Sequence, residues 1–96
     1  MAEFLLELYT SRAEPGAVEA VAERARQAAE QLSCEGTRVR FLRAMFVPEE
    51  ETCFYLYEAG SADDVREAAR RAELPAESVV EAISEPMTER STGEQG

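Results

Sequence analysis

The order of apolar patterns along this chain predicts an α+β fold, a ferredoxin-like βαββαβ domain whose four-stranded antiparallel sheet carries two helices on one face. Three observations lead there. Residues 39–47 (VRFLRAMFV) and 52–58 (TCFYLYE) are strand-like runs of β-branched, aromatic and aliphatic residues separated by the acidic PEEE of Pro48 to Glu51, which is a hairpin pattern. A segment with apolar residues at helical spacing precedes the hairpin, and another follows it. Shorter strand-like runs stand at the two ends.

Taken in order, Glu3 to Tyr9 (EFLLELY) reads as a strand with Phe4, Leu6 and Leu8 on one face. Pro15 suits the first turn of a helix, and Ala17, Val18, Val21, Ala22, Ala25, Ala28, Ala29 and Leu32 make its apolar stripe until Gly36 ends it. After the hairpin, Ser61 followed by Asp64 gives a helix start of the capping-box kind. Val65, Ala68, Ala69 and Ala72 then recur at helical spacing, and Pro75 stops the helix. A last strand is expected over 78–84. The domain is taken as residues 1–85, followed by a flexible polar tail over 86–96 (PMTERSTGEQG).

The strand Glu51, Thr52, Cys53, Tyr55, Tyr57, Glu58 and Ala59, an E-T-C-x-Y run leading into Y-E-A, also carries a resemblance. With the opening EFLLELY it resembles a family of small bacterial proteins first described as a domain of unknown function, one group of which is known as nickel-binding proteins. The resemblance covers roughly residues 3 to 84. It implies a ferredoxin-like homodimer, a divalent metal (nickel) as the cofactor, and no established reaction. One departure bears on the metal: the chain has no histidine. Imidazole suits nickel well, whereas carboxylates alone suit magnesium, calcium or manganese better.

Composition agrees with one small domain. A chain of 96 residues buries only about 60 to 65 % of its unfolded surface, leaving little room for a deep private active site. Twenty acidic against ten basic side chains give a net charge of −10, a field that repels nucleic acid and anionic membranes and favours cations or basic partners. Every basic residue is Arg, a hint of a GC-rich bacterial coding sequence. No apolar run reaches the length of a membrane span and no signal peptide opens the chain, so a cytoplasmic location is expected. Cys34 and Cys53 lack metal-type spacing and are expected as thiols.

The sheet face away from the helices is where function is sought. Alternation is read as placing Phe4, Leu6, Leu8, Phe54 and Leu56 toward the helices, leaving Leu5, Glu7, Tyr9, Cys53, Tyr55 and Tyr57 on the open side. Glu81 joins them if Val80 and Ala82 point inward. The strand 39–47 is apolar on both faces, which argues for a second layer over the open face and hence a homodimer like the dimeric α/β barrels. The expected pocket is Tyr9, Arg43, Tyr55 and Tyr57 as ligand-binding residues, with Glu7, Cys53 and Glu81 as metal ligands. Arg43 is placed there on the assumption that no bulge turns it inward.

Blander readings stand beside these. Glu7 and Glu81 could be mid-strand carboxylates paired with Arg40 or Arg43, the tyrosines could serve interface packing, and Cys53 could be an inert strand thiol. The PEEE segment reads as a solvated turn and the Arg66, Arg70, Arg71 group as a solvated helix face. Three function classes follow. The first is a dimeric metal-binding protein. The second is a ligand-binding module. The third is a small α/β-barrel enzyme using Glu7 or Glu81 as a base. The chain has no phosphate-cradling glycine loop, nucleophile elbow or zinc spacing.

Overall fold

The computed structural model describes residues 1–10 and 15–83, with strand β1 (Ala2–Tyr9), helix α1 (Pro15–Cys34), β2 (Val39–Val47), β3 (Thr52–Ala59), α2 (Ala62–Arg71) and β4 (Val79–Ala82). The strands form one antiparallel sheet in the order β2-β3-β1-β4, the arrangement expected of βαββαβ. The last strand begins at Val79 because Ala76–Ser78 form a 3-10 turn. The tail expected over 86–96 lies outside the described residues.

Each helix end has a local cause. Gly36, at φ +102, closes α1 in a Schellman arrangement: its N–H donates to Ser33 O at 3.0 Å and the Thr37 N–H donates to Leu32 O at 3.0 Å. Ser61 caps α2, accepting from the Asp64 N–H at 3.3 Å. Asp63 and Asp64 in the first turn and Arg70 and Arg71 in the last complement the helix dipole. The two helices are tied where α2 ends. The Arg24 Nε of α1 donates to Ala72 O at 3.1 Å, and the Arg71 guanidinium makes two bonds to Glu35, at 2.9 and 3.0 Å. That pair holds the Glu35 carboxyl below the usual carboxylate range.

The core is a layer of large sheet residues under small helix residues. Ala25, Ala28, Ala29 and Leu32 of α1 and Val65, Ala68 and Ala69 of α2 face Phe4, Leu6, Cys53, Tyr55, Tyr57 and Val79, all buried. Alanine brings each helix close to the sheet but fills little volume, so the sheet must supply the bulk. Tyr55 and Tyr57 do so, with the Phe41 ring edge-on to Tyr57 at 5.4 Å between centroids.

Strand pairing corrects the expected faces. Phe4 pairs with Tyr57, Leu6 with Tyr55 and Leu8 with Cys53, and directly opposed residues of an antiparallel pair share a face. The helix side of β3 is therefore Cys53, Tyr55 and Tyr57, while Phe54 and Leu56 lie on the open side with Glu7 and Leu5. On β4 it is Val79, opposite Leu6, that packs inward, and Val80 is 54 % exposed on the open face. The two-faced apolar character of β2 has its own explanation in a bulge between Phe41 and Arg43. Phe41 stands opposite Tyr57 on the helix side. Beyond the bulge the alternation is offset, so Ala44 and Phe46 face the helices and Arg43, Met45 and Val47 face outward.

Candidate functional site

The open face is built from four rows that cross the sheet. The register places Arg40, Glu58, Glu3 and Ala82 in one row, then Arg43, Leu56, Leu5 and Val80, then Met45, Phe54 and Glu7, then Val47, Thr52 and Tyr9. Its centre is apolar. Leu56 is only 9 % exposed yet stands apart from the helix-side core, Leu5 and Phe54 are half-buried, and Met45 is 40 % exposed. Charge flanks it, with the arginines on the edge strand β2 and the carboxylates of Glu3 and Glu7 on the inner strand β1. Arg40 pairs with Glu58 at 3.5 Å.

The expected pocket of Glu7, Tyr9, Arg43, Cys53, Tyr55, Tyr57 and Glu81 is split by this geometry. Glu7, Tyr9 and Arg43 do face outward, and Glu7 and Tyr9 line a shallow hollow of about 410 Å³ with Thr52, Ser78 and Val80. The Tyr9 hydroxyl donates to Glu51 Oε1 at 3.1 Å, which raises its pKa, and the Thr10 N–H donates to Glu51 O at 2.8 Å. Glu51 thus anchors the end of β1 from its left-handed conformation at φ 50, and the acidic turn is otherwise exposed. Cys53, Tyr55 and Tyr57 are 0 % exposed beneath the helices. Glu81 stands opposite Phe4, on the helix side of the edge strand, and is solvent-exposed.

The buried tyrosines form a feature that the sequence reading missed. Among the described residues, neither the Tyr55 nor the Tyr57 hydroxyl has a hydrogen-bond partner of ordinary geometry. Burial pushes the Tyr57 pKa up to about 12, and burial, with the neighbouring Cys53 thiol second, pushes Tyr55 well above the usual phenol range. The signal that could have found them is the alanine-lined face of both helices, which calls for large residues opposite.

These placements test the metal set. Glu7 is on the open face, Cys53 is under the helices and Glu81 is at the outer edge on the helix side, so the three do not converge. Among the described residues no three Cys, Asp or Glu side chains are grouped to hold an ion, and the chain has no histidine to complete such a group. The described residues of this chain therefore do not fit a nickel centre. No helix among the described residues is long and apolar enough to cross a membrane.

Comparison with known proteins agrees with the fold. The crystal structure of SCO4226 from Streptomyces coelicolor A3(2) superposes with a TM-score of 0.59 at 23 % identity, covering 88 % of this chain and 99 % of that one. No curated protein matches the chain. The family described as nickel responsive protein SCO4226-like matches residues 10–82, which span both helices and all the strands from β2 onward. The chain therefore belongs to the nickel-responsive SCO4226-like family.

Proposed function

We propose that the protein acts as a homodimer whose open sheet face closes on a second copy, and that its link to nickel does not run through a nickel centre built within one subunit. One observation carries this reading: Leu5, Phe54, Leu56, Met45 and Val80 form a continuous apolar centre on the face that none of the described helices covers. A soluble monomer seldom leaves such a patch in water, and a second sheet is its simplest cover. Glu7, Cys53 and Glu81 as metal ligands, and Tyr9, Arg43, Tyr55 and Tyr57 as one ligand pocket, are not carried forward, because the members of each set lie on different sides of the sheet.

Two measurements on untagged protein test the reading. Sedimentation velocity is expected to give a species of about 21 kDa, twice the 10.6 kDa of one chain. Leu56→Asp and Val80→Glu are expected to give monomers with unchanged helix and strand signals in circular dichroism. A wild type that stays monomeric at high concentration would overturn the pairing. After incubation with nickel and desalting, elemental analysis is expected to find far less than one nickel per chain, and stoichiometric retention would overturn the second half of the proposal.

A further inference from the structure

Resting on that pairing, we infer that Glu7 and Arg43 are the residues that set its register, each Glu7 meeting the partner's Arg43 across a two-fold axis. Both side chains are exposed on the open face, and among the described residues neither has a hydrogen bond or ion pair. Arg40, on the same face, already pairs with Glu58 at 3.5 Å. Glu7 and Arg43 thus stand beside the apolar centre with opposite charges and, among the described residues, no ion pair.

Their placement is self-complementary. Arg43 lies on β2 in the row of Leu56, and Glu7 lies on β1 in the row of Phe54. With strands about 4.8 Å apart and same-face residues about 7 Å apart along a strand, the two positions are separated by roughly 12 Å. Among the described residues the two side chains make no ion pair with each other within one chain. Their midpoint falls on β3 between Leu56 and Phe54, at the heart of the apolar patch. A two-fold axis through that point, in the plane between two facing sheets and perpendicular to the Glu7–Arg43 line, puts each Glu7 over the partner's Arg43. The same operation brings Leu56 near the partner's Leu5 and crosses the strands of the two copies at roughly 70°, close to the orthogonal class of sheet packing. An isologous contact uses every such pair twice, so a single substitution changes two contacts.

Opposite charges placed this way act mainly on which partner and which register are accepted, since like charges brought together at an interface are strongly disfavoured. The test is charge exchange read by sedimentation equilibrium. Glu7→Arg and Arg43→Glu are each expected to weaken dimerisation by about tenfold or more, and the double exchange in one chain to restore it. Mixing the two single variants is the sharper experiment. A heterodimer of them carries two opposite-charge contacts, whereas each homodimer carries two like-charge contacts, so the mixture is expected to associate more tightly than either variant alone. If Leu56→Asp dissociates the dimer while both exchanges leave it unchanged, the pairing stands and the Glu7–Arg43 inference falls. If the single variants weaken the dimer but their mixture gains nothing, the charges act within a chain and the inference also falls. A wild type that never dimerises removes the pairing itself.

Discussion

Tyr57 shows most directly how one side chain can be fixed by its surroundings against its own polarity. Its ring fills space that alanine helices leave empty and meets Phe41 edge-on, while its hydroxyl is buried without a partner among the described residues. An unmade hydrogen bond at a buried group costs about 1–3 kcal/mol. Tyr57→Phe keeps the packing and removes the orphan, so urea unfolding is expected to show stability unchanged or raised by up to about 1 kcal/mol. A loss of that size would mean the hydroxyl has a partner. Burial also sets a pH response. Below pH 10 both folded and unfolded chains keep the Tyr57 proton; above the ordinary value of 10.0 the unfolded chain loses it, while the folded one holds it to about 12. Stability is then expected to fall between pH 10 and 12, on the order of 1.4 kcal/mol per pH unit per such tyrosine. Of the three tyrosines, Tyr55 and Tyr57 should ionise in absorbance titration only as the chain unfolds. Full reversible ionisation in a folded chain would contradict their burial.

At the scale of elements, the signals that bound the helices were legible because they are chemical and local. Gly36 stands at φ +102, a conformation that other residues seldom adopt, and an added Cβ would meet nothing within 4 Å. The cost of Gly36→Ala is therefore torsional, expected at about 1–2 kcal/mol in thermal or urea unfolding. Ser61→Ala removes the cap of α2 and is expected to cost about 0.5–2 kcal/mol. A neutral result at either site would mean the helix end is held by something else. The bulge in β2 was not legible, since Phe41, Leu42, Ala44, Met45 and Phe46 are apolar whichever way they face. Its position was settled by β3, whose Tyr57 and Leu56 oppose Phe41 and Arg43.

For the whole molecule, the apolar face that no described helix covers is the feature on which the proposed association between copies rests. Association through apolar surface with a charged rim should respond to salt in a specific way. Raising ionic strength screens the Glu7–Arg43 contacts while leaving the apolar centre intact. Salt also relieves the repulsion between two chains of net charge −10, so the two effects oppose each other and the affinity is expected to change by less than tenfold in either direction between low and physiological salt, in sedimentation equilibrium. Complete dissociation over that range would mean charge, and not the apolar face, holds the copies together.

The sequence by itself determined the element order, the fold class, the helix caps and the family, because each rests on local residue chemistry or on a pattern that one strand or helix carries alone. It also placed Phe4, Leu6 and Leu8 on the helix side and Glu7 and Tyr9 on the open side. Only the tertiary structure decided which face of β3 and β4 the helices cover. Period-two alternation separates two faces but cannot name them when Cys53, Tyr55 and Tyr57 alternate with Phe54 and Leu56, since both sets are apolar enough to be buried. The register against β1 and the space left by the alanine helices made that choice, and with it moved the tyrosines into the core and Phe54 and Leu56 onto the open face.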